Sequence, residues 1–213
     1  MATLTDLMVV MTTYTDPRTA ITDALTTAEP VIAAVSALDP SAPTPCTEMN
    51  RGQLLAHLNA VSARILAMGQ GQPATSVPDE IPSADYLGEW RGRVGAIEDA
   101  WAGRALDDVV ISPWRPIPVD EAAAIYAAEV LVHAWDLASS SGVPFDISPE
   151  LAAVGIESYE REIPPAARAA IFEGIRQSLP PQAQFEDPFG PAVEVDGSAT
   201  PIERLVAMAG RRP

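Results

Sequence analysis

Prolines constrain the fold of this chain more than any other feature, because 21 of them divide the sequence into separate stretches. A proline in a helix interior removes a hydrogen bond and clashes with the preceding turn. Helices in this chain are therefore expected to begin or end near a proline. Between the prolines, apolar residues recur at the three- and four-residue spacing of a helix that is buried on one side. The alternation typical of strands is nearly absent, and the sequence therefore predicts an all-α fold.

The predicted helix boundaries come from capping residues and prolines. Four longer helices should form a bundle, at about residues 18–38, 51–68, 84–104 and 121–140. Shorter helices are predicted at about 149–162, 165–178 and 201–208, with an extended piece around 193–195. Asn50 and Gln53 resemble a capping box at the start of the second helix, and Ser83 and Asp120 are the expected caps of the third and fourth. Pro30 is expected to kink or divide the first helix, and an irregular connection is predicted at 109–118.

Length and charge limit the domain number and the partners. A chain of 213 residues, 47% of them hydrophobic, can bury one core, so we assign 16–213 to one domain and 1–15 to an N-terminal arm. A formal charge of −16 would repel phosphate backbones and anionic lipids, so neither nucleic acid nor a membrane is an expected partner. The single cysteine, with no segment typical of a signal or a membrane span, predicts a cytoplasmic protein.

The chain has only two histidines, His57 on the second predicted helix and His133 on the fourth. Glu129 precedes His133 by four residues, so their side chains share one helix face about one turn apart. Two imidazoles and a carboxylate suit Zn²⁺, and also Fe²⁺, Ni²⁺ or Mn²⁺, with positions left open for water or substrate. The same spacing also fits an ordinary ion pair or hydrogen bond between Glu129 and His133.

Three segments resemble one known family: TPCTE at 44–48, LLAHL at 54–58 and EVLVHAWDLA at 129–138. They are similar to the DinB-like metal-binding superfamily, in particular its actinobacterial branch related to the mycothiol-dependent maleylpyruvate isomerase N-terminal domain. The segment 189–213 is also similar to that branch. The resemblance implies a DinB-like four-helix bundle with additional C-terminal helices, and a divalent metal, Zn²⁺ first, held by His57, Glu129 and His133.

The resemblance also implies a chemistry, in which mycothiol or a similar low-molecular-weight thiol is a cosubstrate. The metal would activate the thiol for attack on a small electrophile, as in a metal-dependent thiol S-transferase or isomerase. Two alternatives stay open. One is a metal-dependent hydrolase of a small molecule, and the other is a non-catalytic, metal-stabilised helical ligand-binding protein, with a homodimer as one allowed assembly.

Three more residues are candidates for the surroundings of the metal. Asp136, one turn beyond His133, could orient its imidazole or instead pair with an arginine on the helix surface. Tyr126 could line the pocket or pack in the core. Arg115, in the loop before the fourth helix, could bind a substrate carboxylate or the polar groups of a thiol cofactor.

The remaining reactive or charged residues have simpler interpretations. Cys46 lies in a proline-bounded turn with no basic residue close in sequence, so we predict a buried packing residue and no nucleophile. Arg211 and Arg212 are interpreted as a solvated tail.

Overall fold

Helices make up most of the part of the chain that the computed structural model describes, which is residues 14, 16–178 and 189–213. The elements in these residues are α1 Pro17–Val35, α2 Arg51–Gly69, α3 Tyr86–Ala102, β1 Val109–Ile111, β2 Pro116–Pro118, α4 Val119–Ser139, α5 Pro149–Glu162, α6 Arg168–Ser178 and α7 Pro201–Met208. A single turn of 3₁₀ helix follows α2, at Ala74–Ser76. The all-α prediction is confirmed. The predicted arm lies outside the described residues apart from residue 14, and the assignment of 16–213 to one domain stays a prediction.

Side-chain caps fix where several helices begin, as the sequence predicts. The carboxylate of Asp16 accepts from the second residue of α1. Asn50 and Gln53 form a reciprocal capping box at the start of α2. Ser148 and Thr200 cap α5 and α7, and each is followed by a proline in the first helical turn. These caps satisfy backbone N–H groups that have no partner within the helix, so they define the starting residue.

Pro30 does not divide the first helix, contrary to one of the two predicted outcomes. α1 continues from Pro17 to Val35 with Pro30 inside it. Buried residues on both sides of the proline, including Ala28 and Val31, pack into the core. The packing of α1 against α3 and α4 offsets the hydrogen bond that the proline removes.

Two predicted caps are wrong by a few residues. The N-cap of α3 is Asp85, whose carboxylate accepts from the N–H of Gly88, while the Ser83 hydroxyl accepts from the N–H of Asp85 and donates to Glu89. α4 begins at Val119, so Asp120 lies in its first turn and does not cap it. A carboxylate in the first turn is still favourable there because of the helix dipole.

The β-hairpin was not predicted from the sequence. β1 and β2 pair antiparallel, with Val110 opposite Ile117, in a segment where an irregular connection was predicted. The two prolines of β2 are the reason that the hairpin was not predicted. Proline in a sequence argues against a strand, although it is tolerated at the edge of a sheet. Residues 193–195 contain no strand, and the N–H of Val193 donates to the carbonyl of Ala207 next to α7.

α4 is the central helix, and its burial decides where the candidate ligands lie. It packs against α1 and α2 of the bundle and against α5 and α7 on another side. Gly155 of α5 permits this close layer, because a Cβ there would lie 2.8 Å from Leu205 Cδ1 and 3.2 Å from the Cβ of Ala128. Among the described residues, no helix has the length and hydrophobicity that a membrane span requires.

Candidate metal centre

The two histidines and Glu129 meet where α2 packs against α4. One ligand atom from each of the three side chains lies within 4.8 Å of the other two. His57 Nε2 is 3.4 Å from Glu129 Oε1, and the two imidazole rings stand nearly perpendicular, 82° apart, with their centroids 5.0 Å from each other. The arrangement gathers two nitrogen donors and one oxygen donor around a single point, which is the donor set of many zinc sites.

The three side chains are largely buried but still open to solvent. Exposed fractions are 16% for His57, 22% for Glu129 and 13% for His133. A structural zinc site encloses its metal completely, whereas a catalytic one keeps a position for water or substrate. The partial exposure of all three side chains is of the second kind.

His57 is oriented by a backbone carbonyl. Its Nδ1 lies 3.2 Å from the carbonyl oxygen of Asp79, which can only accept a hydrogen bond. With the proton of a neutral His57 on Nδ1, this carbonyl accepts it, and Nε2 then presents its lone pair on the side of Glu129, as a metal ligand must. Arg64 supports this loop from α2 by donating to the carbonyl of Pro78 and to the carboxylate of Asp79.

His133 is oriented by a buried carboxylate. Its Nδ1 lies 3.2 Å from Asp136 Oδ2, and the Asp136 side chain is completely inaccessible to solvent. Arg211 donates from Nη2 to Oδ2 at 3.0 Å and from Nε to Oδ1 at 3.3 Å. With its Nδ1 engaged, His133 has only Nε2 left for a ligand. Histidines that bind metals commonly have such a partner on the other nitrogen.

The interpretation of Arg211 as part of a solvated tail is wrong. Its side chain is only 7% exposed, because the chain after α7 packs against α4 and inserts the guanidinium beside Asp136. Arg211 is buried because the Asp136 carboxylate is: an ionised carboxylate without a cation beside it would be very costly to bury. Arg212 is exposed, as predicted.

The protonation states match the needs of a divalent cation. Burial alone would raise the pKa of Glu129, but with no metal bound a hydrogen bond from Nε2 of His57 and the nearby positive charges bring that pKa below its ordinary value. Burial and the charge of His57 lower the pKa of His133, against the opposing influence of Asp136. At neutral pH the carboxylate is therefore ionised and the imidazole of His133 is neutral, the forms that bind metals.

A second cluster on the other side of His133 is less suited to a metal. Ligand atoms of Cys46, His133 and Asp136 also lie within 4.8 Å of one another. However, Arg211 contacts both oxygens of Asp136, so a positive charge already sits beside this group. Burial raises the pKa of the Cys46 thiol, which keeps it protonated at neutral pH. The side chain packs against the core, as predicted, but it is partly and not fully buried.

The structure does not bring Arg115 to the candidate ligands. Arg115 pairs with Glu121 and Glu162. Tyr126 is buried in the core at 1% exposure, and its hydroxyl has no hydrogen-bond partner among the residues that the structure describes. Burial, together with the negative charge of Glu129, raises the pKa of Tyr126, so the phenol stays protonated.

Sequence reasoning missed the groups that orient the histidines, except for Asp136, which was one of two open interpretations. Arg64 lies seven residues after His57, two helical turns along the same face, so a signal for it existed. The carbonyl of Asp79 and the side chain of Arg211 reach the site through loops, and no periodicity indicates such contacts.

A family comparison covers the helices that carry the candidate ligands. The family described as mycothiol maleylpyruvate isomerase N-terminal domain matches residues 21–138, more than half of the chain. The chain belongs to this family. The DinB-like resemblance read from the sequence is therefore confirmed. The matched region of this isomerase-domain family includes His57, Glu129, His133 and Asp136, and it ends before α5, so Arg211 lies outside it. The chain matches no curated protein and no solved structure.

Proposed function

We propose that this protein is a metal-dependent enzyme of the mycothiol-dependent thiol transferase or isomerase type. A low-molecular-weight thiol would be activated at a divalent metal held by His57, Glu129 and His133, and would attack a small electrophile. The observation that carries the proposal is the matched orientation of the two histidines. Each has an acceptor at Nδ1, so both present Nε2 at the same point as Glu129.

The donor set fits a divalent cation that retains positive charge. Two neutral imidazoles and one carboxylate neutralise only one of its two charges, which favours an anionic further ligand such as a thiolate. Zn²⁺ is the first expectation for this set, with Ni²⁺, Fe²⁺ or Mn²⁺ as alternatives. Bound there, the metal would supply Lewis-acid chemistry that lowers the pKa of a coordinated thiol.

The residues of this chain would bind, orient and shield the reacting thiol. His57 and Glu129 approach from two different helices, which fixes the donors relative to each other. The partial exposure of the three ligands leaves access for a small molecule. The family description supports mycothiol as the thiol, and the charge of −16 supports a small molecule over nucleic acid or a membrane as partner. We expect the reaction in a reducing cytoplasm, by a monomer or a homodimer.

A hydrolase is the weaker alternative. Hydrolysis at such a metal would need a base beside the bound water, and Glu129 is used as a ligand. Asp136, another carboxylate next to His133, is fully buried and paired with Arg211. Neither group is free to accept a proton from water.

The test uses protein purified without a metal-affinity tag and loaded with Zn²⁺. It is incubated with mycothiol and a panel of small electrophiles, and the products are read by mass spectrometry. A conjugate or an isomerised electrophile that depends on both thiol and protein is the expected result. His133→Gln, which removes one donor at similar size, is the matched control and should give no product.

A Co²⁺-loaded Cys46→Ser variant provides the second readout. Cys46 is the only cysteine in the chain, so this variant has no sulfur ligand of its own. Addition of mycothiol should then produce a sulfur-to-cobalt charge-transfer band that no protein thiol can cause. No product across the panel, together with no such band, would overturn the proposed function even if the metal binds.

A further inference from the structure

Arg211 connects the C-terminal segment to the candidate metal centre. Its guanidinium makes a two-pronged contact with Asp136, at 3.0 Å and 3.3 Å, and Asp136 in turn contacts Nδ1 of His133. Nη1 donates to the carbonyl of Ala209 at 3.0 Å, so the side chain is also fixed against its own backbone. All three links are buried or nearly so, and they form a single chain of contacts from the segment after α7 to a candidate ligand.

The segment that carries Arg211 is itself held in one place. Arg168 of α6, only 3% exposed, donates to the carbonyls of Gly190 at 2.7 Å and Met208 at 2.9 Å. Gly210 has a φ of +86°, and a Cβ there would lie 2.9 Å from the backbone of Gly190. The crossing of these two glycine backbones fixes the direction in which residue 211 leaves α7. These contacts hold the backbone of residues 208–211 in the position that places the Arg211 side chain beside Asp136.

We propose that Arg211 is a positioning residue of the metal centre: it holds the Asp136 carboxylate against Nδ1 of His133, so that Nε2 is presented to the metal. The inference rests on the proposed metal-binding function and deepens it. A neutral imidazole carries one proton, and the proton is favoured on the nitrogen that faces a hydrogen-bond acceptor. The Asp136 carboxylate is that acceptor for Nδ1 of His133. Without Arg211, the carboxylate is free to rotate away, and nothing then keeps the proton off Nε2.

A merely structural role for Arg211 would have different consequences. A tail anchor would change the unfolding transition but leave the His133 tautomer as it is. A positioning role changes the tautomer in the folded protein. The two histidines of the chain make the tautomer readable by ¹⁵N NMR, with His57→Gln to assign the signals.

The experiment compares Arg211→Gln with its exposed neighbour variant Arg212→Gln at one fixed neutral pH. The metal-free proteins are measured by ¹⁵N NMR, and their Zn²⁺ dissociation constants are obtained by competition with a chromogenic chelator. Wild type and Arg212→Gln should show the proton of His133 on Nδ1. Arg211→Gln should show a mixture of tautomers and bind Zn²⁺ about 10- to 100-fold more weakly, the range for lost groups that orient metal ligands. Arg211→Lys should recover part of the difference.

An Arg211→Gln protein with the tautomer and the affinity of Arg212→Gln would overturn the inference. If Arg211→Gln does not fold, Arg211→Lys takes its place: a mixture of His133 tautomers and weaker Zn²⁺ binding than in the wild type support the inference, and values equal to those of the wild type contradict it. The tautomer is measured without metal or thiol. A failed thiol reaction therefore contradicts the proposed enzymatic function but not the positioning role of Arg211.

Discussion

The two histidines face each other across the candidate centre, yet they are supported in opposite ways. His57 is oriented by a backbone carbonyl in a loop, next to an Asp79 side chain that is 97% exposed. His133 is oriented by a carboxylate with no exposure at all, paired with a buried arginine. Neutral and solvated support costs little to arrange, whereas a buried ion pair is favourable only when both charges are present. The α4 side of the centre should therefore be much more sensitive to substitution than the α2 side.

Asp136→Asn should produce the largest effect, because it leaves Arg211 as a buried charge without a counter-ion. We expect the free energy of unfolding to fall by about 3–5 kcal/mol, the usual cost of breaking a buried pair from one side. Zn²⁺ affinity should fall about 10- to 100-fold. Urea denaturation and chelator competition measure the two quantities, and a change below about 1 kcal/mol would show that the pair does not matter to the fold.

Arg64→Gln should have a smaller effect on the α2 side. The variant removes the arginine that holds the Asp79 loop, but the carbonyl that contacts His57 remains. A lost hydrogen bond to a charged group costs about 1.5–3 kcal/mol, and here the solvated partner reduces the loss towards the lower value. Zn²⁺ affinity should change less than in Asp136→Asn. The reverse order of the two affinities, measured in the same competition assay, would contradict a greater sensitivity of the α4 side.

Acid should act on the α4 side through His133. Burial and the charge of His57 lower the pKa of His133, so the folded protein takes up a proton only below the unfolded value of about 6.5. The stability that neutral His133 contributes is therefore present above that pH and is lost as the pH falls through the folded pKa. In metal-free protein, the free energy of unfolding should decrease below about pH 6.5, and His133→Gln should flatten that decrease. Equal slopes for the two proteins would contradict the assignment.

Asp79→Asn should have the smallest effect. Its carboxylate is almost fully solvated, so water screens its pair with the largely buried Arg64, which also keeps its bond to the carbonyl of Pro78. The stability should stay within about 0.5 kcal/mol of the wild type, and the Zn²⁺ affinity should be unchanged. The variant is the matched counterpart of Asp136→Asn, since both replace a carboxylate that contacts an arginine behind a histidine.

The sequence predicted the helices where capping and periodicity determine them. The capping box of Asn50 and Gln53 and the proline-led start of α7 appear as expected, since each is a local interaction within one turn. The prediction failed where packing overrides local preference, as at Pro30, and where proline hid a strand, as in β2. Those outcomes depend on neighbours that are distant in sequence.

The same distinction applies to the candidate centre. Glu129 and His133 share a helix face, so their proximity could be read from spacing, while the resemblance linked His57 to them. Arg211 could not be read in the same way, because it is 75 residues from Asp136 and reaches it through a fold of the C-terminal segment. Its neighbour Arg212 has the same chemistry in sequence and the opposite burial in the structure.

The most direct test of the account is a Zn²⁺ titration of protein that was purified without a metal-affinity tag and stripped of metal. Wild type, His57→Gln and His133→Gln are compared by competition with a chromogenic chelator. The wild type should bind about one Zn²⁺ per chain tightly, and both variants should lose this binding, because each lacks one of the three ligands. Binding of well under one equivalent by the wild type, or tight binding that survives in both variants, would contradict the account.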